Sequence, residues 1–552
     1  MSDAPEPVND RNAWWRSAVV YQIYIRSFAD GNGDGIGDIA GLRARLPYLA
    51  ELGVDAIWIN PWYPSPLHDG GYDVVDFCDI DPVFGTLDEA DLLVDEAHGY
   101  GIKVLIDIVP NHTSNLHKWF QEALASPPGH PSRDRYHIHD GRGPNASEPP
   151  SNWLSVFGGP AWQQMADGQW YLHLFDVSQP DLNWENPEVL REFESILRFW
   201  LDRGVDGFRV DVAHGLFKDP SYPDIAEVGD LSVPRQQLGH PFWDRDEVHE
   251  IYRRWRSILN AYSDRMMVAE AWVHPDRLPL YIRDDEFHQS FNWDFLAAEW
   301  DANEMARVIA ESYQRARKVG ASPTWVLSNH DVMRHSTRYG LPRGTDWHRW
   351  PTEGPHEALD VAAGLRRARA AALITLSLPG SVYLYQGEEL GLPEVWDLPE
   401  SVLEDPTWER SDRKVRGRDG CRVPLPWSLE GPALGFSTAE PWLPQPAAFV
   451  GLAASSQAED AESILTLYRR ALALRGEWLT ADEEFEMIDL GADTLSYRKG
   501  SRMTCVVNMG SADLPLPVGE VILTSAPLKG GELPPDAAAW ISLAPSTASS
   551  TD

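Results

Sequence analysis

Four short segments carry side chains that could do chemistry together: Asp107-Ile-Val-Pro-Asn111-His112, Gly207-Phe-Arg209-Val-Asp211, Glu270-Ala-Trp272 and Asn329-His330-Asp331. Three of their carboxyl groups, at Asp211, Glu270 and Asp331, suit nucleophilic and general acid–base work, in which one carboxyl attacks and another moves a proton. Arg209 precedes Asp211 by two residues, so in a strand both side chains share a face and the guanidinium favours the anionic carboxylate. A lone Asp at a strand end is more often a cap or an ion-pair partner, and a lone His more often a satisfied core residue. Several acids crowded together cost stability by mutual repulsion, so their joint presence points to chemistry.

These segments need elements that bring them to one place. Short β-branched runs predict strands at 19–25, 56–60, 103–109, 207–212, 266–269, 288–292, 324–327 and 381–385, with helices between them, such as 39–52, 87–98, 189–203 and 362–376. Eight strands alternating with helices imply a parallel sheet closed as a (β/α)₈ TIM barrel, whose chemistry collects at the C-terminal strand ends. All four segments sit at such ends. The loop-rich stretch 111–180, with many Gly, Pro, Ser and Asn, is too long for a plain connection and reads as a small inserted domain. The catalytic barrel then occupies 1–110 and 181–475. A final helix is expected at 463–475. Short alternating runs at 485–489, 494–497, 503–508, 518–523 and 539–543 predict a C-terminal antiparallel β-domain over 476–546, followed by a disordered tail, 547–552.

Composition narrows the partners. A formal charge of −37 argues against nucleic acid, whose phosphates require a basic surface. No apolar run approaches the roughly 20 residues that cross a bilayer. The acidic, Pro-rich start over 1–12 lacks the pattern of a signal peptide, so a cytoplasmic protein is expected. Three cysteines (Cys78, Cys421, Cys505) match neither zinc nor redox spacing.

The four segments match, in order and spacing, the main motifs of the α-amylase superfamily, glycoside hydrolase family 13. Gln179-Pro-Asp-Leu-Asn183 and the stretch from Gly380 to Leu390, with Tyr385-Gln-Gly-Glu-Glu389, match two further ones. The resemblance extends from about Trp14 to the terminal β-domain. The first of these two extra motifs resembles the oligo-1,6-glucosidase branch, which includes α-glucosidases. It implies a retaining glycosidase with Asp211 as nucleophile, Glu270 as acid/base, initially protonated, and Asp331 as transition-state stabiliser. It also implies that Arg209 keeps Asp211 ionised and that His112 and His330 bind hydroxyls of the reacting sugar. Retention needs two carboxyls about 5–5.5 Å apart. Matching positions in this branch pair Asp69, from Asp69-Gly-Gly-Tyr72-Asp73, with Arg422, from Arg418-Asp-Gly-Cys-Arg422, to clamp the non-reducing end of small α-glucosides. Tyr72 would stack on that sugar and Phe175 would line its pocket.

Linkage preference is read from Val212, which follows the nucleophile: Val there is associated with α-1,6 substrates. Ala213-His214-Gly215 differs from the oligo-1,6-glucosidase pattern, and Arg422-Val-Pro-Leu-Pro-Trp427 resembles actinobacterial α-glucosidases, favouring maltose-type α-1,4 with α-1,6 open. Two other readings share the barrel. One is a transglucosidase or a sucrose or trehalose isomerase with the same covalent intermediate. The other is a non-catalytic relative, which the complete residue set and absence of a membrane anchor disfavour.

A separate pattern follows the first strand. Asp30-Gly-Asn32-Gly-Asp34-Gly-Ile36-Gly-Asp38 offers oxygens at alternate positions, like the start of an EF-hand loop, with Gly41 where that motif's last Glu would stand. Related α-glucosidases carry a similar loop. A structural Ca²⁺ or Mg²⁺ held by Asp30, Asn32, Asp34, the Ile36 carbonyl and Asp38 is expected; a run of Asx turns is the alternative. No organic cofactor is expected.

Overall fold

The computed structural model describes residues 13–225, 238–478 and 484–543. The expectations for 1–12 and for the tail at 547–552 lie outside these residues. Eight strands run β1 Val19–Ile23, β2 Ala56–Ile59, β3 Lys103–Ile108, β4 Gly207–Val210, β5 Met266–Ala269, β6 Gln289–Ser290, β7 Thr324–Val326 and β8 Ser381–Tyr385. They bond in the order β7-β8-β1-β2-β3-β4-β5-β6, every neighbouring pair parallel, as the (β/α)₈ reading requires. Long helices lie between them, among them Ile39–Leu52, Leu87–Gly99, Pro187–Asp202 and Val361–Ser377.

Local chemistry sets the element ends. The helix Ile39–Leu52 starts where the Asp38 carboxylate accepts the Gly41 N–H and stops at Gly53, whose φ of 90° suits only a residue without Cβ. Pro187–Asp202 begins with an Asn186 cap and Pro in its first turn. Three strands fall two or more residues short of the β-branched runs. The first yields to a 3₁₀ turn at Ile25–Ser27. The fourth ends before Val212, which turns to φ 44°. The sixth is only Gln289–Ser290, because Asn292 caps a short helix, Trp293–Ala297, by accepting the Phe295 N–H.

Between β3 and the helix Pro187–Asp202 the chain makes a long excursion. It carries a three-stranded antiparallel sheet in the order Ile138–Asp140, Gln169–Leu172, Trp162–Gln164. An antiparallel bridge between His112 and Asp181 brings its start and finish side by side. At the C-terminal end, five antiparallel strands run in the order Phe485–Met487, Thr494–Lys499, Met503–Asn508, Ala537–Ser542, Glu520–Thr524. Their sheet docks on the helix Val361–Ser377: Trp540 Nε1 donates to the Leu373 carbonyl (3.0 Å) and the Tyr497 hydroxyl to that of Ile374 (2.9 Å). Among the described residues no helix is long and apolar enough to cross a membrane.

Candidate active site

Parallel register does the positioning. Asp107 on β3 is the register partner of Arg209 on β4, and Arg209 that of Val268 on β5, two residues before Glu270. Arg209, Asp107, Asp211 and Glu270 therefore meet at the strand ends. The Arg209 guanidinium is 1% exposed. Its Nη1 lies 2.8 Å from Asp107 Oδ1 and 2.6 Å from Asp211 Oδ1, and its Nη2 lies 2.7 Å from Glu270 Oε2. The sequence assigned this arginine to Asp211 alone; the structure shares it among three carboxyls.

That sharing sets the electrostatics of the Asp211 carboxyl. Burial pushes the Asp211 carboxyl well above the usual carboxylate range; Arg209 opposes this, while Glu270 and Asp107 add to it. Glu270 instead accepts three donors: Arg209 Nη2, Trp272 Nε1 at 2.9 Å and the Val212 N–H at 3.0 Å. Val212 holds its part of this arrangement in the left-handed region, a conformation costing about 1–3 kcal/mol for a residue with a Cβ.

Asp331 stands opposite. Burial alone would raise its proton affinity, but His330, Arg418 and Arg422 hold it well below the usual carboxylate range. Arg418 Nη1 is 3.0 Å and Arg422 Nη2 3.1 Å from its Oδ1, and His330 Nε2 is 3.2 Å from its Oδ2. His330 is fully buried, with Nδ1 2.7 Å from Gln22 Nε2 and Nε2 2.6 Å from the Tyr72 hydroxyl. Its ring stacks on that of Tyr72 at 5.2 Å, so one face of Tyr72 is occupied. The Tyr72 hydroxyl also donates to Asp107 Oδ2 (3.0 Å), which ties it to the Arg209 cluster.

The expected clamp is corrected in one partner. Asp69 pairs with Arg418, Nη2 to Oδ1 at 2.6 Å, and not with Arg422. A 3₁₀ turn, Asp419–Cys421, separates the two arginines and sends them to different levels. Arg422 lies beneath, 2% exposed, with Nε donating to the His330 carbonyl (2.9 Å) and Nη2 to Asp331. Gln179 Nε2 completes the wall by donating to Asp69 Oδ2 (2.9 Å) and sits 3.1 Å from His112 Nε2. The His112 ring packs on Phe175, centroids 5.1 Å apart. Burial lowers the His112 pKa to about 4, so it stays neutral and can accept or donate one hydrogen bond.

These groups open on a cavity of about 670 Å³. Asp69, Tyr72, His112, Phe175, Asp211, Glu270, Asp331 and Arg418 line it, with Val212, Trp243, Trp272 and Trp347 forming apolar walls. Arg209, His330 and Arg422 lie below as supports. Sequence reasoning gave no role to Asp107, Gln179 or Arg418, although each lay inside a quoted motif; strand register would have exposed Asp107, the neighbour of Arg209.

Burial pushes Asp69 up to about 6 against the pull of Arg418, with Asp405 reinforcing the rise. Its anionic form is the one that can accept bonds from a bound hydroxyl, so kcat/KM is expected to fall as the pH drops through about 6. A pH profile flat down to pH 4 would contradict this. Asp107 is likewise raised to about 6, chiefly by burial. The unfolded chain releases such protons near pH ~4, so the native state binds more protons between the two values, and these acids reduce stability as the pH rises through that window.

The loop after β1 folds through its own side chains. Asp30 Oδ1 accepts the N–H groups of Asn32 and Gly33, Asn32 Oδ1 that of Asp34, and Asp34 Oδ1 that of Ile36. Asp38 accepts from Gly31, Asn32 and Gly41. These are the Asx turns weighed above. Among the described residues, no three His, Cys, Asp or Glu side chains group as metal ligands. A cation here would rest on a mixed set including the Asn32 amide and the Ile36 carbonyl.

A nearly closed parallel barrel with this carboxyl triad at its C-terminal mouth is the architecture of a glycosidase. Residues 22–482 match the family model for the alpha amylase catalytic domain, and the chain belongs to the α-amylase family of glycoside hydrolases. It is 38% identical over 523 residues to a probable alpha-glucosidase of Rhizobium meliloti (strain 1021), covering 91% of this chain and 90% of that one. It is 35% identical to the oligo-1,6-glucosidase of Parageobacillus thermoglucosidasius, covering 84% and 83%. Its structure resembles the crystal structure of an alpha-glucosyl transfer enzyme, with a TM-score of 0.84 and 35% identity over 96% of this chain and 99% of that one.

Proposed function

We propose that the protein is an exo-acting, retaining α-glucosidase that releases glucose from the non-reducing end of short α-glucosides. The observation that carries this reading is the Arg209-bridged Asp211–Glu270 pair in a cavity with one wall formed by the Asp69–Arg418 ion pair. A charged wall of this kind leaves room for one terminal sugar, where an endo-acting enzyme needs an open cleft.

The terminal glucose enters with its far hydroxyls on Asp69, Arg418 and His112. The reaction requires Glu270 protonated and Asp211 ionised beside Arg209. Asp211 attacks C1 while Glu270 protonates the departing oxygen, giving a glucosyl ester on Asp211 and a free aglycone. Glu270, now anionic, takes a proton from a water molecule, whose oxygen attacks C1 and releases Asp211. Two inversions return the α configuration. Asp331, ionised between two arginines, faces the positive charge that builds on the ring in each transition state.

The test is a time course on maltose, isomaltose, sucrose and trehalose with products separated by chromatography. Glucose released from maltose in the α configuration supports the reading, and the isomaltose rate reports the linkage preference at Val212. Sugars rearranged or lengthened without hydrolysis would replace it with the transferase or isomerase reading. The apolar walls at Trp243, Trp272 and Trp347, which can hold an acceptor sugar, and the likeness to a glucosyl transfer enzyme favour that second reading.

We also propose that the loop Asp30–Asp38 binds Ca²⁺ or Mg²⁺ as a brace remote from the chemistry, supported by its alternate side-chain oxygens. Chelation is expected to lower Tm without changing the catalytic residues' pH profile. An unchanged Tm, with no metal in the purified protein, would remove the proposal. A cytoplasmic setting is supported by Cys78, Cys421 and Cys505, all of them free thiols.

A further inference from the structure

Arg418 is the only clamp side chain whose three guanidinium nitrogens each serve a different carboxylate, among the contacts given for the described residues. Nη2 meets Asp69 at 2.6 Å, Nη1 meets Asp331 at 3.0 Å, and Nε bonds Asp405. Asp69 and Asp331 face the sugar; Asp405 does not line the cavity and is 3% exposed. A planar guanidinium fixed at Nε has its two outer nitrogens fixed as well, so the Asp405 contact sets where Nη1 and Nη2 point.

The two Asp405 oxygens have separate duties. Oδ1 accepts the Thr407 N–H at 2.8 Å and so caps the short helix Pro406–Arg410. Oδ2 serves Arg418 through both its backbone N–H, at 3.1 Å, and its Nε. The neighbouring acid holds Asp405 in turn: Asp419 Oδ2 accepts the N–H groups of Glu404 (2.8 Å) and Asp405 (3.0 Å). Gly417, at φ +75°, lets the chain pass this close, since a Cβ there would lie 2.5 Å from the Asp405 carboxyl carbon. The side of Arg418 is covered by the Phe157 ring at 4.9 Å from the excursion after β3.

We propose that Asp405 is a positioning residue for substrate recognition, fixing the Arg418 fork so that one arm closes the terminal-sugar pocket on Asp69 and the other holds Asp331. The proposal rests on the glucosidase reading of the site. Its consequence is that a residue outside the cavity sets affinity for the terminal glucose more than the rate of bond cleavage.

Asp405→Asn separates the duties, because the amide oxygen still caps Thr407 while its NH₂ meets Arg418 with a donor in place of an acceptor. The full-length variant is compared with wild type on maltose, with free glucose as competitive inhibitor. KM and the glucose Ki are expected to rise about tenfold, and kcat to change less than about threefold, for a lost hydrogen bond between charged groups. The acid limb of kcat/KM is expected to move to lower pH. Asp69 faces Arg418, Asp405, Arg422 and the Gln179 amide, and neutralising Asp405 removes the one acid among them. If Asp405→Asn is not recovered folded, Gly417→Ala crowds the same carboxyl and is expected to raise KM and Ki in the same direction. Wild-type KM, Ki and acid limb in a folded variant would overturn the proposal. Failure of the wild-type enzyme to hydrolyse maltose would overturn the glucosidase reading instead.

Discussion

Asp211→Asn is expected to lower kcat on maltose by about 10⁴-fold, the scale on which removal of a covalent nucleophile acts. The amide cannot form the glucosyl ester, yet it keeps the shape of the site. Tm is expected to hold or rise, because Asp211 is one of three carboxyls buried on a single guanidinium and its neutral form is already favoured. Glucose binding, measured by calorimetry, is expected to survive. Glu270→Gln should differ in kind: an aryl glucoside with a good leaving group needs little protonation, so the first step recovers while the second stays slow. Hydrolysis by Asp211→Asn within tenfold of wild type would remove this acid from the nucleophile's role.

Arg418→Ala is expected to cost about a hundredfold in kcat/KM, in keeping with truncating one partner of a buried, hydrogen-bonded charge pair. The loss should fall mainly on KM and on inhibition by glucose. It leaves Asp69 and Asp405, 4% and 3% exposed, and part of Asp331 without their cation. Arg422→Ala provides the contrast. That side chain supports the His330 carbonyl and Asp331 from below, so its loss is expected to lower Tm and kcat with less effect on glucose affinity. The reverse ranking of the two variants would restore the clamp to Arg422.

The difference between those two arginines shows what the chain revealed before folding. The strand-end motifs located Asp211, Glu270 and Asp331, because acids at the ends of β-branched runs in a βα alternation have one place to go. The β6 strand was overestimated because Asn292, in an apolar run, is a helix cap, and only the following N–H groups reveal that use. The clamp was misassigned because a 3₁₀ turn lies between two arginines four residues apart, and the turn decides which one reaches the cavity. The donors that meet Glu270 were illegible for another reason: Trp272 and the Val212 backbone both reach it, and neither contact follows from strand spacing. Asp107 was recoverable, since adjacent parallel strands in register place it beside Arg209.

The docking of the last sheet against the helix Val361–Ser377 bears on the order in which the molecule is made. Carbonyls of that helix, at Leu373 and Ile374, are satisfied by Trp540 and Tyr497, while Arg475 serves those of Leu376 and Gly380 at the entry to β8. During synthesis all eight barrel strands leave the ribosome well before residue 540 does. Until it arrives, the Ala-rich outer face of that helix lies uncovered, although Ser377 Oγ already donates to the Leu373 and Ile374 carbonyls. The last sheet thus covers the closing helix only after every barrel strand, and every strand-end acid, has been made.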